Sequence, residues 1–133
     1  MAAMDPLALE TVEDLQRLAR VWWVNILIVG TTPVSDTDNI LGTIRQQRGL
    51  DVFHAQRSSE FVLPDRGDVI LVLDDVCQLS RDQQVRLLDW VSRKRVQIVS
   101  FASRSLYRLV CEQKFMDRLY YHLNTVCVSA GER

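Results

Sequence analysis

Three short runs of nearly unbroken aliphatic residues set the terms on which this chain can fold. They are Val24-Asn25-Ile26-Leu27-Ile28-Val29, Asp68-Val69-Ile70-Leu71-Val72-Leu73 and Val96-Gln97-Ile98-Val99-Ser100-Phe101. Each is far too short to cross a membrane, and none shows the alternation of a strand with one face in water. Such density of β-branched residues suits strands covered on both faces, as in a parallel sheet. Asp51-Val52-Phe53-His54-Ala55 and Val126-Cys127-Val128 read as two shorter strands of the same sheet.

Parallel strands need crossovers, and helical patterns lie between the runs. After the first strand, Asp38 is expected to cap a helix carrying Ile40, Leu41 and Ile44 that stops near Gly49. Ser80 with Gln83 forms a capping box. It opens a helix with Val85, Leu88 and Val91 on one face and Leu87 and Trp90 beside it, and Lys94 and Arg95 suit its end. Residues 103–111 and 112–123 read as two further helices. Ahead of the first strand, residues 5–21 form an amphipathic pattern through Leu7, Leu9, Val12, Leu15 and Leu18. The expected architecture is one three-layer α/β/α domain over residues 1–133, its helix at about 5–21 and its core at about 24–128. Ligands of such sheets sit at the carboxyl ends of the strands, which directs attention to residues 30–37, 74–78 and 102–105.

The totals exclude several classes. A chain of 133 residues has room for one core, and 47% apolar with 25% charged residues is an ordinary globular composition. Sixteen Lys and Arg against 17 Asp and Glu leave a net charge of −1, which is no footprint for nucleic acid. Cys77, Cys111 and Cys127 have no metal-ligand spacing and read as buried free thiols of a reducing compartment. Residues 1–20 carry Asp5, Glu10, Glu13 and Asp14 and no continuous apolar run. Neither leader peptide nor membrane span is therefore expected, and the chain is placed in the cytoplasm.

In this order, the segments resemble the AAA+ domain of bacterial sigma-54-dependent transcriptional activators. Residues 67–76 are similar to that family's Walker B strand, Gly-Gly-Thr-Leu-Phe-Leu-Asp-Glu-Ile. Residues 79–90 follow its pattern L-P-x-x-x-Q-x-x-L-L-R-x-L. Lys114-Phe115-Met116-Asp117-Arg118-Leu119-Tyr120-Tyr121-His122-Leu123-Asn124 is similar to its F-R-x-D-L-Y-Y-R-L-N signature. The resemblance covers about residues 8–128 and implies a five-stranded parallel sheet of order 5-1-4-3-2.

The residues that would do the family's chemistry are changed. A working P-loop is G-x-x-x-x-G-K-[ST], whose backbone N–H groups wrap the phosphates while the Lys neutralises them. Here the string is Gly30-Thr31-Thr32-Pro33-Val34-Ser35-Asp36-Thr37. Ser35 replaces the second Gly, Asp36 replaces the Lys, and Pro33 removes a donor. A carboxylate facing a triphosphate at ~4 Å repels it by a few kcal/mol where Lys would attract it. Asp74 remains able to hold Mg²⁺ through water, but Asp75 stands for the Glu that orients the attacking water. Both carboxylates equally suit a strand end that caps residues 76–78. Ser103 occupies the polar sensor position and also suits a helix cap. The two finger arginines correspond to Met116 and His122, and Arg118 stands where the family has Asp. Nothing between Thr37 and Asp74 resembles the Gly-Ala-Phe-Thr-Gly-Ala loop that engages sigma-54. Since the chain ends at Arg133, the lid with its sensor arginine is expected to be absent.

Gly30, Thr31, Thr32, Asp36, Thr37, Asp74, Asp75 and Ser103 are thus read as a nucleotide-site remnant with no catalytic residue. The expected function is a non-catalytic protein-interaction module in transcription regulation, whose partner is a sigma-54 activator or a second copy, with neither nucleic acid nor membrane. No cofactor or metal is expected. ATP with Mg²⁺ at Asp74 enters only under the alternative of a residual nucleotide-binding domain, which needs Arg45 or Arg104 to replace the Lys. A phosphotransfer receiver using Asp74 is a further alternative. It lacks the acidic pair after the first strand, where Thr31 and Thr32 stand, and the Lys after the last. Arg104, Arg108, Lys114 and Arg118, interleaved with Tyr107, Tyr120 and Tyr121, are weighed as a single-strand nucleic-acid surface against a solvated helix face.

Overall fold

The computed structural model describes residues 25–30, 34–56, 60–94 and 96–129. The expected helix at 5–21, Trp22 and Trp23, and Thr31 to Pro33 lie outside them. Five strands form one parallel sheet: β1 (Ile26–Val29), β2 (Asp51–His54), β3 (Val69–Leu73), β4 (Gln97–Ala102) and β5 (Val126–Ser129). Their spatial order is β2-β3-β4-β1-β5, the order 5-1-4-3-2 read from the opposite edge. Ile26 lies beside Val99 and Val126, and Ile70 beside Gln97 and Val52, so the aliphatic runs stand in lateral rows.

Side-chain alternation sorts these runs onto two faces. Ile26, Ile28, Ile70, Val72, Val99 and Phe101 face α1 (Val34–Arg48), which contributes Ile40, Leu41 and Ile44. Leu27, Leu71, Leu73 and Ile98 face the other layer. This layer is built from α2 (Arg81–Arg93), α3 (Leu106–Cys111) and α4 (Asp117–Leu123), with Leu87, Trp90, Leu106, Leu109, Leu119 and Leu123. Burial on both faces explains why the runs are continuous rather than alternating.

Several local expectations are corrected. α1 begins at Val34, so Asp38 lies inside the helix rather than at its cap. The helix extends further toward its amino end than a cap at Asp38 would allow, and Asp38 falls in its second turn. The helix stops as expected: Gly49 adopts φ 69° and its N–H donates to the Arg45 carbonyl at 2.8 Å. The capping box of α2 forms, with Gln83 N–H on Ser80 Oγ at 3.2 Å and Ser80 N–H on Gln83 Oε1 at 2.9 Å. The buried stripe of that helix nevertheless runs through Gln84, Leu87 and Leu88, leaving Val85 half exposed. A polar residue takes the core position because its amide finds partners there, described below. The cap of α3 is Ser105, not Ser103: Ser105 Oγ accepts from Arg108 N–H at 3.2 Å. The three cysteines are free, but Cys111 is exposed and the other two are half-buried. Cys111 falls on the outer side of α3, while Leu106 and Leu109 take the inner one.

Candidate functional site

The carboxyl ends of β1, β3 and β4 meet at one edge. Gly30, at φ 122°, donates its N–H to the Ala102 carbonyl at 2.9 Å. That conformation strains any residue with a Cβ, which accounts for glycine at the end of β1. The backbone of Asp36 and Thr37 lies in the first turn of α1. Thr31 and Thr32 fall outside the described residues, so the remnant loop is seen only at its two ends.

The acidic pair at the end of β3 is held from within the protein. Asp74 Oδ1 and Oδ2 lie 3.0 and 3.3 Å from His54 Nδ1, with the imidazole side chain 19% and the carboxylate 33% exposed. Asp75 Oδ1 accepts from the N–H of Cys77 at 3.1 Å and from that of Ser103 at 3.3 Å. The first of these contacts caps the 3₁₀ turn Val76–Gln78; the second ties β3 to the segment after β4. Gln56 completes the clasp, accepting from Asp75 N–H at 3.1 Å and donating to the Asp75 carbonyl at 2.8 Å. Ser103 therefore reaches the edge through its backbone N–H rather than by capping a helix.

His54 and Gln56 were not singled out by sequence, yet both stand at this edge. Their signal lies in topology: β2 pairs with β3 so that His54 is opposite Val72, which places the residues after it beside Asp74 and Asp75. The strand order implied by the resemblance contains that adjacency.

Cations do not converge on the acidic edge from α1. Arg45 and Arg48 belong to its last turn and point to the amino ends of β2 and β4: Arg45 pairs with Asp51 at 3.4 Å, and Arg48 Nε donates to Gln97 Oε1 at 3.1 Å. Cavities of about 510 and 260 Å³ flank that amino edge, sharing Leu50 in their walls. Among the described residues, no cluster of three or more His, Cys, Asp or Glu side chains could hold a metal ion. No helix among them is long and apolar enough to cross a membrane.

The Sigma-54 interaction domain model matches residues 37–131. Among solved structures, the chain is similar to NtrX from Brucella abortus in complex with ADP, with a TM-score of 0.70 and 17% identity over 94% of this chain and 37% of that one. The ATP complex of NtrX gives a TM-score of 0.67 and 18% identity over 94% of this chain and 38% of that one. The P-loop NTPase domain of the Sigma-54 transport activator from E. coli gives 0.59 and 15%, over 90% of this chain and 100% of that one. The chain thus spans less than two fifths of the length of NtrX, and at these identities the likeness is one of fold. No curated protein matches the sequence. The sheet order, the helices on both faces and a family match over most of the length agree: the chain belongs to the sigma-54 interaction domain family.

Proposed function

We propose that this chain is a sigma-54-activator-like module that does not hydrolyse nucleotide and acts in transcription regulation by binding protein. The observation that carries this reading is the state of the acidic pair. Asp74 and Asp75, which in a working site would serve Mg²⁺ and the attacking water, accept from His54 and from two backbone N–H groups instead. Recruiting them for ATP chemistry means breaking the contacts that hold β2, β3 and the segment after β4 together.

The remaining substitutions support the same reading. Asp36 in place of the P-loop Lys opposes a triphosphate, and Met116 and His122 stand for the two finger arginines. NtrX has been seen with ADP and with ATP; here the groups that would grip those phosphates are altered. Family membership supports a sigma-54 activator or a second copy of this chain as the partner. A second reading, weak nucleotide binding with Mg²⁺ at Asp74, draws on the third of that carboxylate still open to solvent.

Titration calorimetry with ATP and Mg²⁺ separates the two readings. The expected result is no detectable heat of binding. Micromolar affinity that disappears in Asp74→Ala overturns the proposal.

A further inference from the structure

The outer face of α3 and α4 combines exposed aromatic rings with unpaired cations. Tyr107 and Tyr121 are 60% and 71% exposed, the two most exposed large hydrophobic side chains among the described residues. They are not isolated. Tyr120 lies between them, its ring centroid 6.1 Å from that of Tyr107 and 5.6 Å from that of Tyr121. The central ring is the anchored one: its hydroxyl accepts from Asn124 Nδ2 at 2.9 Å, and burial raises its phenol above the ordinary tyrosine value. Single exposed apolar residues are unremarkable on a protein surface, but three contiguous rings braced on one another are a preorganised contact platform.

Several cations elsewhere on the molecule are neutralised by carboxylates. Arg45 and Arg66 pair with Asp51, Arg66 also with Asp68, and Arg93 with Asp89. On α3, α4 and their connections, Lys114 reaches Glu112 at 3.7 Å, but the guanidiniums of Arg104, Arg108 and Arg118 form no ion pair among the described residues. Arg118 is three residues before Tyr121 on α4, hence on the same side, and Arg108, exposed, follows Tyr107 in the sequence of α3. Tyrosine and arginine are the residues in which binding energy concentrates at protein interfaces.

The geometry points to this face as the docking surface for an acidic segment of a partner protein, whose carboxylates meet Arg104, Arg108 and Arg118 while its apolar side chains lie on the three rings. The inference rests on the reading of this chain as a protein-binding module and names the chemistry of the partner. Charge complementarity selects an acidic occupant. A protein segment is favoured over a nucleic acid because the chain's net charge of −1 supplies no extended positive field for a phosphate polymer, and Asp117 opens the same helix.

The test is fluorescence anisotropy with three labelled probes. These are a short peptide of Glu and Asp interspersed with Phe and Leu, the same peptide with Lys for the acids, and oligothymidylate. Saturable binding of the acidic peptide alone, weakened by added salt, is expected. Tyr121→Ala and Arg108→Ala should each weaken it by about tenfold. Both side chains are exposed, so an unchanged thermal midpoint shows that the fold survives. Equal binding of the Lys peptide, tighter binding of oligothymidylate, or no binding at all overturns the inference. So does loss of self-association in Tyr121→Ala, which would make a second copy the occupant. ATP calorimetry on the same preparation tells failure of this inference from failure of the non-catalytic reading.

Discussion

The side-chain oxygen of Gln84 accepts the backbone N–H of Met116 at 2.9 Å, across 32 residues of sequence. The same amide donates through Nε2 to the carbonyls of Leu79 at 3.2 Å and Lys114 at 3.1 Å. Gln84 is 2% exposed, and all three bonds end on backbone. It is the Gln of the L-P-x-x-x-Q pattern, while Lys114 and Met116 flank Phe115 of the F-R-x-D-L-Y-Y signature. The two strings that carry the resemblance are thus two sides of one buried joint.

Gln84→Leu fills the volume but leaves an N–H and two carbonyls without partners, at an expected cost of about 2–3 kcal/mol. Chemical denaturation should show a lower midpoint at constant slope. Gln84→Glu adds a pH signature. Its ionised carboxylate would face the Leu79 and Lys114 carbonyls as a third acceptor, so the folded-state pKa is raised above the unfolded value of about 4.3. Stability is then greatest below that unfolded value and is lost as pH rises through the raised one. A variant equally stable at acid and neutral pH would show that the amide donates nothing there.

Asp75 is expected to matter to folding rather than to chemistry. Asp75→Ala removes the acceptor for the N–H groups of Cys77 and Ser103, a loss of about 1–2 kcal/mol by analogy with helix caps. Asp75→Asn keeps an acceptor oxygen and should recover most of it. Thermal melts of both variants check this ranking, and equal melts would leave the clasp without weight.

The fold was legible because its signals are intrinsic to short windows. A run such as Val69–Leu73 specifies a two-sided strand, and Ser80 with Gln83 specifies a helix start, whatever lies elsewhere. What stayed illegible depends on partners distant in sequence. Gln84 looks like a surface residue and Val85 like core until Lys114 and Met116 are known to lie over the former. His54 carries no motif; it becomes part of the site only because β2 pairs with β3 and ends beside Asp74. The break after Cys111 falls where the sequence reading put it, but the next helix starts at Asp117 rather than at Glu112, since nothing in residues 112–116 carries the signature of a connecting segment.

That break is a C-terminal motif held by a residue ill-suited to it. Gln113 adopts φ 62°, its N–H donates to the Val110 carbonyl at 3.0 Å, and the Lys114 N–H donates to the Leu109 carbonyl at 2.8 Å. This pair of bonds ends a helix through one left-handed residue, the position glycine favours. A left-handed conformation costs an L-residue roughly 1–2 kcal/mol, which glycine avoids while losing more backbone entropy on folding. Gln113→Gly should therefore stabilise the protein by about 0.5–1 kcal/mol. Gln113→Val, β-branched in the same conformation, should destabilise it; both are read from denaturation midpoints.

Ser100 sits in the middle of β4 with Leu27 and Leu73 beside it in the neighbouring strands, fully buried. Its hydroxyl is the one buried side-chain polar atom among the described residues that has no hydrogen-bond partner. Leaving such a group unmet costs about 1–3 kcal/mol, while removing one oxygen sacrifices only a little packing. Ser100→Ala is therefore expected to raise stability by about 0.5–1 kcal/mol, against the usual direction of core truncations. Ser100→Val also removes the hydroxyl but adds methyl groups to a closed strand row, and should lose that gain to overpacking. If the alanine variant proves less stable than the parent, the hydroxyl has a partner in solution and the serine is a structural donor rather than a fault in the core.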